Sequence, residues 1–468
     1  MPPSKGEHSM RHYHFGTGKW VFIDWIGIEP GYGTKWGGGE SAGYCVPRGV
    51  ELRVHTPDVV PEFAIPLDRP WEKGMAAYAT FLEDGGRCRC WYLHGNGMSY
   101  AESTDGVHWT KPELGLFEFN GSRANNFIDC YGEGVFIDPS AAAAQRYKMI
   151  CCQWTATERA VLGAVSPDGL RWTRLPEPIL PRQNADTDNC CTYDAELAAY
   201  VLYTRQRDGR MQRRGINRSV SKDFRRFPES EPVLESSPLD PPDWDLYGNG
   251  YSKWPGTAAA HLMRLSVYHH TSDTVDVHLA TSRDGLLWHR PMGRNAWISG
   301  GTSYPNPYDS VYACNGILRT APGEWSTYVG VAHLGHNEPA ERLRPPAGIL
   351  RARMREDGFM SLTSAGHGEF WTIPFTLNSD RIRLNVKTRY SGFVRAEILA
   401  SSGGDTGAET TGNTAIATFS MTDCVPASGD YIDAPLTWKR GSDLGTLRGQ
   451  TVRLHLELYK ADLYALRF

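Results

Sequence analysis

The sequence has no run of the roughly 18 apolar residues that a bilayer-spanning helix needs, so a membrane is not expected as a partner. Residues 1–20 are polar and lack the apolar core of a secretory signal. No dense basic tract is present, and the formal charge is −4, so nucleic acid is excluded as a partner too. The strongest basic cluster, Arg205, Arg207, Arg210, Arg213 and Arg214, reads as a solvated outer turn, with an anionic-ligand site as the alternative. None of the ten cysteines has the Cys-x-x-Cys spacing of a structural zinc site. Cys151–Cys152 and Cys190–Cys191 are adjacent, and Cys88 and Cys90 are one residue apart. Strand neighbours point to opposite faces, so such pairs suit reduced thiols better than a disulfide framework. Together with the polar N-terminus this predicts a cytoplasmic location. Long amphipathic helices are missing as well.

What the chain does have is aromatic residues and glycine: 15 Trp, 22 Tyr and 49 Gly, with 30 Pro, in 468 residues. That mixture suits short strands joined by tight turns, and it equally suits a carbohydrate ligand whose sugar faces stack on flat rings. A repeat separates the two readings. Ser-x-Asp-Gly-x-x-Trp stands at Ser103–Trp109, Ser166–Trp172 and Ser282–Trp288, in decayed form at Ser221–Phe227, and as a bare Asp-Gly corner at Asp357-Gly358. Successive Asp positions are 63, 55, 61 and 73 residues apart. Asp-Gly is a favoured hairpin corner, because Asp ties the turn and Gly accepts positive φ; the Trp is expected to plug the layer between neighbouring sheets. Each period has room for about four strands.

The reading is therefore all-β, a five-bladed β-propeller followed by a C-terminal β-sandwich. Residues 1–70 form an N-terminal β extension, 71–368 the propeller and putatively catalytic body, and 369–468 the sandwich. In the last segment Arg381–Val386 and Thr451–Leu458 alternate with period two.

A propeller points the first strand of each blade at a shared channel, so residues at those strand starts converge. Counting back from each corner places them at Trp71-Glu72, Gly132-Glu133, Asp186–Asn189, Asp243–Asn249 and Asn306–Ser310. Every blade brings a carboxylate. Glycosidic cleavage needs two, one to protonate the leaving oxygen and one to activate water or attack carbon. Asp188 and Asp245 are the expected central pair, with Glu72 the third carboxylate. Asp188, in a polar run, is the expected ionised base, and Asp245, between Trp244 and Tyr247, the desolvated acid. Asp186, Asp243, Asp309 and Glu338 stand as substitutes. Trp244, Tyr247, Asn249, Asp309, His333, His336 and Glu338 are expected to bind substrate. His333-Leu-Gly-His336 has metal-like spacing, yet reads better as part of the rim; no metal ligand set is assigned. No cofactor is required, and the channel leaves room for a structural central cation such as calcium.

The repeated corner, the stretch Tyr100–Leu116 and Asp245-Leu-Tyr-Gly-Asn249 resemble uncharacterised bacterial proteins related to the five-bladed glycoside hydrolases of families 32, 43 and 68. The resemblance covers nearly all of the chain. It implies three funnel carboxylates that cleave a furanoside or short oligosaccharide, fructoside- or arabinoside-like. The invertase-like Trp-Met-Asn-Asp-Pro motif is absent. The competing function is a non-catalytic glycan-binding or scaffold propeller.

Overall fold

The structure is a computed structural model describing residues 15–30, 46–95, 97–128, 130–154, 159–181, 185–206, 213–300, 307–400 and 414–468. Among these residues strands alternate with turns, the helical segments are three-residue 3-10 turns, and no α-helix occurs. Among the described residues no helix is long and apolar enough to cross a membrane. Cys88, Cys90, Cys190, Cys191, Cys314 and Cys424 are buried free thiols.

The chain divides into two compact units, residues 1–55 with 356–468, and residues 56–355. The expected boundaries lay at 70/71 and 368/369. In the first unit, Thr451–Arg467 is flanked by Met360–Trp371 and Arg383–Ala400, and the N-terminal strands Lys19–Val21 and Glu51–Val54 join the same eight-stranded sheet. Its core includes Phe22, Phe370, Val394, Leu454 and Leu456. Asp357, expected as a fifth corner, is fully buried here and holds Lys19 Nζ at 2.6 Å and Arg467 at 3.0 Å.

The second unit is a succession of antiparallel runs. Ala77–Asp84, Arg87–His94 and Gly97–Ser103 form the first, and Glu133–Ile137 through Thr173–Arg174 the second. Cys190–Asp194 through Glu231–Leu234 form the third. Two further runs, opened by Trp244–Gly248 and Ser310–Ala313, meet at the single parallel pair Val275–Ser310 and so make one nine-stranded sheet. The outermost strand of that sheet is Asp58–Pro66, paired antiparallel with Arg344–Arg355. The beginning of the unit thus completes its last run. The first and last runs also meet at their inner strands, where Phe81 N donates to Asn315 O at 2.8 Å and Asn315 N to Ala79 O at 2.7 Å.

The corners explain how neighbouring runs are held. At Ser103-Thr-Asp105-Gly106, Ser103 Oγ accepts from Gly106 N at 2.9 Å, and Asp105 Oδ1 accepts from Val107 N and His108 N at 2.8 Å. The copies at Asp168 and Asp284 repeat these bonds. Each corner glycine has φ near +70°, and its carbonyl accepts from a buried aromatic of the preceding run. Gly169 O takes Trp91 Nε1 at 2.6 Å and Gly285 O takes Tyr203 OH at 2.8 Å. Gly106 O takes Tyr328 OH, from the last run, at 2.5 Å. The fully buried plugs are therefore Trp91, Tyr203 and Tyr328, whereas the motif's own Trp109, Trp172 and Trp288 are half-buried. Two of these rings fold back on their own turn, Trp109 Nε1 donating to Gly106 O and Trp172 Nε1 to Gly169 O, each at 3.1 Å.

Candidate functional site at the starts of the inner strands

Asp188 has φ +65°, a left-handed turn that lays its side chain against the backbone of Gly248. A Cβ at Gly248 would collide with Asp188 Oδ2. Asn249 Nδ2 donates to Asp188 O at 2.7 Å and fixes the loop. The Asp188 carboxylate is wholly buried, and neither oxygen has a hydrogen-bond partner among the described residues. Burial pushes its pKa up to about 7, while the charges of Arg205 and Arg264 restrain the rise. Behind it, Glu133 accepts from Asp188 N at 2.6 Å, Asn189 N at 2.9 Å and Asn189 Nδ2 at 2.8 Å. Burial, followed by the nearby Asp188 charge, pushes Glu133 up to about 8. Two carboxyls from different runs are thus desolvated together, and both favour holding a proton near neutrality.

Around them lies a shell of tyrosines and guanidinium groups. The Arg205 guanidinium is fully buried, stacks 4.0 Å above the Tyr247 ring, donates to Tyr247 O at 3.3 Å and pairs with Asp186. Arg214 also faces the Tyr247 ring, at 5.2 Å, and pairs with Asp245. Tyr78, Tyr247 and Tyr312 converge, with Tyr78 OH 3.4 Å from Tyr247 OH and the Tyr78 and Tyr312 rings 5.7 Å apart. His336 bonds Tyr312 OH through Nδ1 at 2.5 Å, and its ring meets Tyr247 at 4.6 Å and Tyr268 at 4.5 Å. Burial and then the Arg214 charge draw the His336 pKa down to about 4, so it is neutral at pH 7.

The structure thus brings Asp188, Asn249, Tyr247, His336 and, through Arg214, Asp245 into one region. Asp245 differs from its expected environment: its carboxylate accepts from Arg214 N at 2.9 Å, from the Arg214 guanidinium, and from His270 Nε2 at 2.8 Å. The aspartate whose pKa burial raises is Asp188. Glu72 is also fully engaged, accepting from Asp68 N, Arg69 N, Tyr92 OH and Lys111 Nζ, the last at 2.6 Å. Asp309 pairs with Arg344 at 2.9 Å, and Glu338 accepts from Gly335 N in its own turn at 2.9 Å. His333 stacks on Tyr308, with ring centres 4.6 Å apart. Trp244 packs against His269 and His278. None of these five shares a described bond with Asp188.

Sequence reasoning left out Glu133, Arg205, Arg214, Tyr78 and Tyr312 as site residues. Glu133 was signalled by its place at an inner-strand start. Arg205 and Arg214 stood in the basic cluster read as a solvated outer turn, with an anionic-ligand site as the alternative; the structure instead buries Arg205 fully at the end of the apolar strand Ala199–Gln206, where an unpaired cation is costly.

A cavity of about 360 Å³ takes its lining from all five runs, among them Thr80, Gly134, Cys190, Tyr251 and Asn315. It is poorer in converging ionisable groups. Glu83 and Lys253 are its charged residues.

No family model matches the sequence, and no curated protein does. Solved structures similar to the chain include a thermostable family-43 glycoside hydrolase, at 16% identity and TM-score 0.45, covering 63% of this chain and 95% of that one. A β-1,2-mannobiose phosphorylase from Listeria innocua is 14% identical at TM-score 0.45, covering 64% and 97%. An endo-arabinase from Bacteroides thetaiotaomicron is 12% identical at TM-score 0.39, covering 63% and 97%.

Proposed function

We propose that residues 56–355 are a five-bladed β-propeller carrying a glycosidase site, with a β-sandwich built from 356–468 and the N-terminal strands. The substrate is a furanoside or short oligosaccharide, and Asp188 is the group that protonates the leaving oxygen. The observation that carries the reading is the Asp188 carboxyl, buried without a partner and shifted to about 7, because a general acid must hold its proton at working pH. Asp186 and Asp245, each held by a guanidinium, are the carboxylates that face the positive charge developing on the sugar ring. Half-buried Tyr78 walls the region beside the buried Tyr247 and Tyr312, and neutral His336 offers a hydrogen bond for a hydroxyl.

The test begins with a screen of aryl furanosides, fructans, arabinans and short manno- and xylo-oligosaccharides for released sugar. On a confirmed substrate, Asp188→Asn should lose at least about 100-fold in kcat while keeping its thermal midpoint. D186N and D245N should each lower kcat more than they raise KM. Near-normal turnover by D188N refutes the assignment. Saturable sugar binding with no turnover of any substrate favours a glycan-binding propeller.

A further inference from the structure

Away from this region, the run opened by Trp244–Gly248 carries a second group of converging side chains. His269 ends the strand His261–His269, and Asp276 and His278 lie two residues apart on its partner Thr274–Ser282. The pairing register sets His269 opposite Thr274, Val267 opposite Asp276 and Leu265 opposite His278. Directly opposed residues share a sheet face, so all three side chains emerge on one side. Trp244, paired with His269 on the other neighbouring strand, emerges there too. Its ring stands edge-on to both imidazoles, with centres 4.8 Å and 5.2 Å away.

Asp276 Oδ1 lies 3.1 Å from His269 Nε2 and 3.0 Å from His278 Nε2, and one ligand atom of each residue falls within 4.8 Å of the others. All three atoms are buried, yet none makes a hydrogen bond of acceptable geometry to any described group. His278 is 1% exposed and both of its ring nitrogens are unsatisfied. An interior normally satisfies such atoms with well-aligned hydrogen bonds. Two imidazole nitrogens thus crowd one carboxylate oxygen in ion-pair contact without aligned hydrogen bonds, and an ion held among the three would satisfy them together.

We propose that His269, Asp276 and His278 bind one divalent transition-metal ion, of which zinc is the type. Ligand atoms about 2.0–2.1 Å from a tetrahedral centre are about 3.3 Å apart, close to the two separations measured between the nitrogens and Oδ1. Two imidazoles and one carboxylate suit zinc or a neighbouring first-row divalent ion. Calcium, which takes 6–8 oxygen ligands, is excluded by the same donor set. Side chains of His269 and Asp276 keep 14% and 19% exposure, so the group lies near the surface although its ligand atoms are buried. The ion would tie the end of one strand to the middle of its neighbour and hold Trp244 against the pair. The site is independent of the glycosidase reading.

The test uses full-length protein dialysed against chelator. Titration with Co²⁺ should develop visible d–d absorption at one equivalent, and Zn²⁺ should abolish it and raise the thermal midpoint. Ca²⁺ at the same concentration should do neither. His278→Gln, Asp276→Asn and His269→Gln should each weaken Zn²⁺ binding by at least about 100-fold, with far-UV circular dichroism unchanged. D188N should bind like the unaltered protein, separating this site from the other. The sequence also holds His8, His12 and His14, so one equivalent of metal retained at full affinity in all three variants would overturn the proposal. Failure of the unaltered protein to bind Zn²⁺ or Co²⁺ would overturn it equally, as would an equal response to Ca²⁺.

Discussion

Gly169→Ala is the sharpest test of how the corners lock neighbouring runs together. Two costs act at this position. Gly169 has φ +75°, and a residue with a Cβ in the left-handed region costs about 1–2 kcal/mol. The added methyl would also lie 2.8 Å from the Trp91 ring, 3.2 Å from Tyr147 and 3.3 Å from Arg89. Trp91 is fully buried and donates to Gly169 O, so it has no open side to move toward. Overpacking of this kind costs about 1–3 kcal/mol, for an expected total of about 2–5 kcal/mol. Gly85→Ala supplies the control: its φ is +60° and nothing lies within 4 Å of its Cβ position, so only the backbone cost applies. Urea unfolding of both variants, fitted with a common m-value, separates the two terms. Equal losses for G169A and G85A, or a loss below about 1 kcal/mol for G169A, would refute the claim that the corner is clamped by the preceding run.

Other outcomes follow from the buried ionisable groups. Asp188 and Glu133 have raised pKa values in the folded protein, about 7 and 8, against ordinary values once unfolded. Their contribution is therefore fully present below about pH 4 and is lost as pH rises through 7 and 8. The thermal midpoint should fall across that window, and D188N should flatten the lower part of the fall; an identical pH profile in D188N counts against the buried charge. Lys111→Met would leave the buried Glu72 carboxylate without its cation and should cost about 3–5 kcal/mol in urea unfolding, whereas a neutral result would show that Glu72 does not depend on the pair. Titration of denatured, unreduced protein should find close to ten thiols, and four or five disulfides would end the case for a reducing compartment.

How much of this was legible in the chain depends on sequence distance. The corners were legible because Ser, Asp and Gly bond one another within three residues, and local bonds leave local patterns. Asp188 could be found by counting back from a corner. The rise in its pKa could not, because that comes from burial, part of it against Gly248 of a neighbouring run. Asp245 was misjudged for the same reason: Trp244 and Leu246 are its sequence neighbours, but Arg214 and His270 contact its carboxylate. Glu72 could be named from its strand start, but not its engagement by a lysine 39 residues away. Asp58–Pro66 was assigned to an N-terminal extension, since nothing in its own residues announces a partner nearly 300 positions later.

That late pairing constrains the order in which the protein can be made. Asp58–Pro66 leaves the ribosome among the first strands, but Arg344–Arg355 is among the last of its unit. The early strand must wait through most of translation with its backbone N–H and C=O groups unpaired, a state that invites pairing with other nascent chains. Its neighbours in the chain lessen the hazard: Pro57, Pro61 and Pro66 cannot donate to a ladder, and Asp58 and Glu62 keep the segment charged. A fragment beginning at residue 67 would not be a trimmed version of the same unit. It would expose the long edge of Arg344–Arg355 permanently, and such a product should be recovered in inclusion bodies rather than as a smaller folded protein.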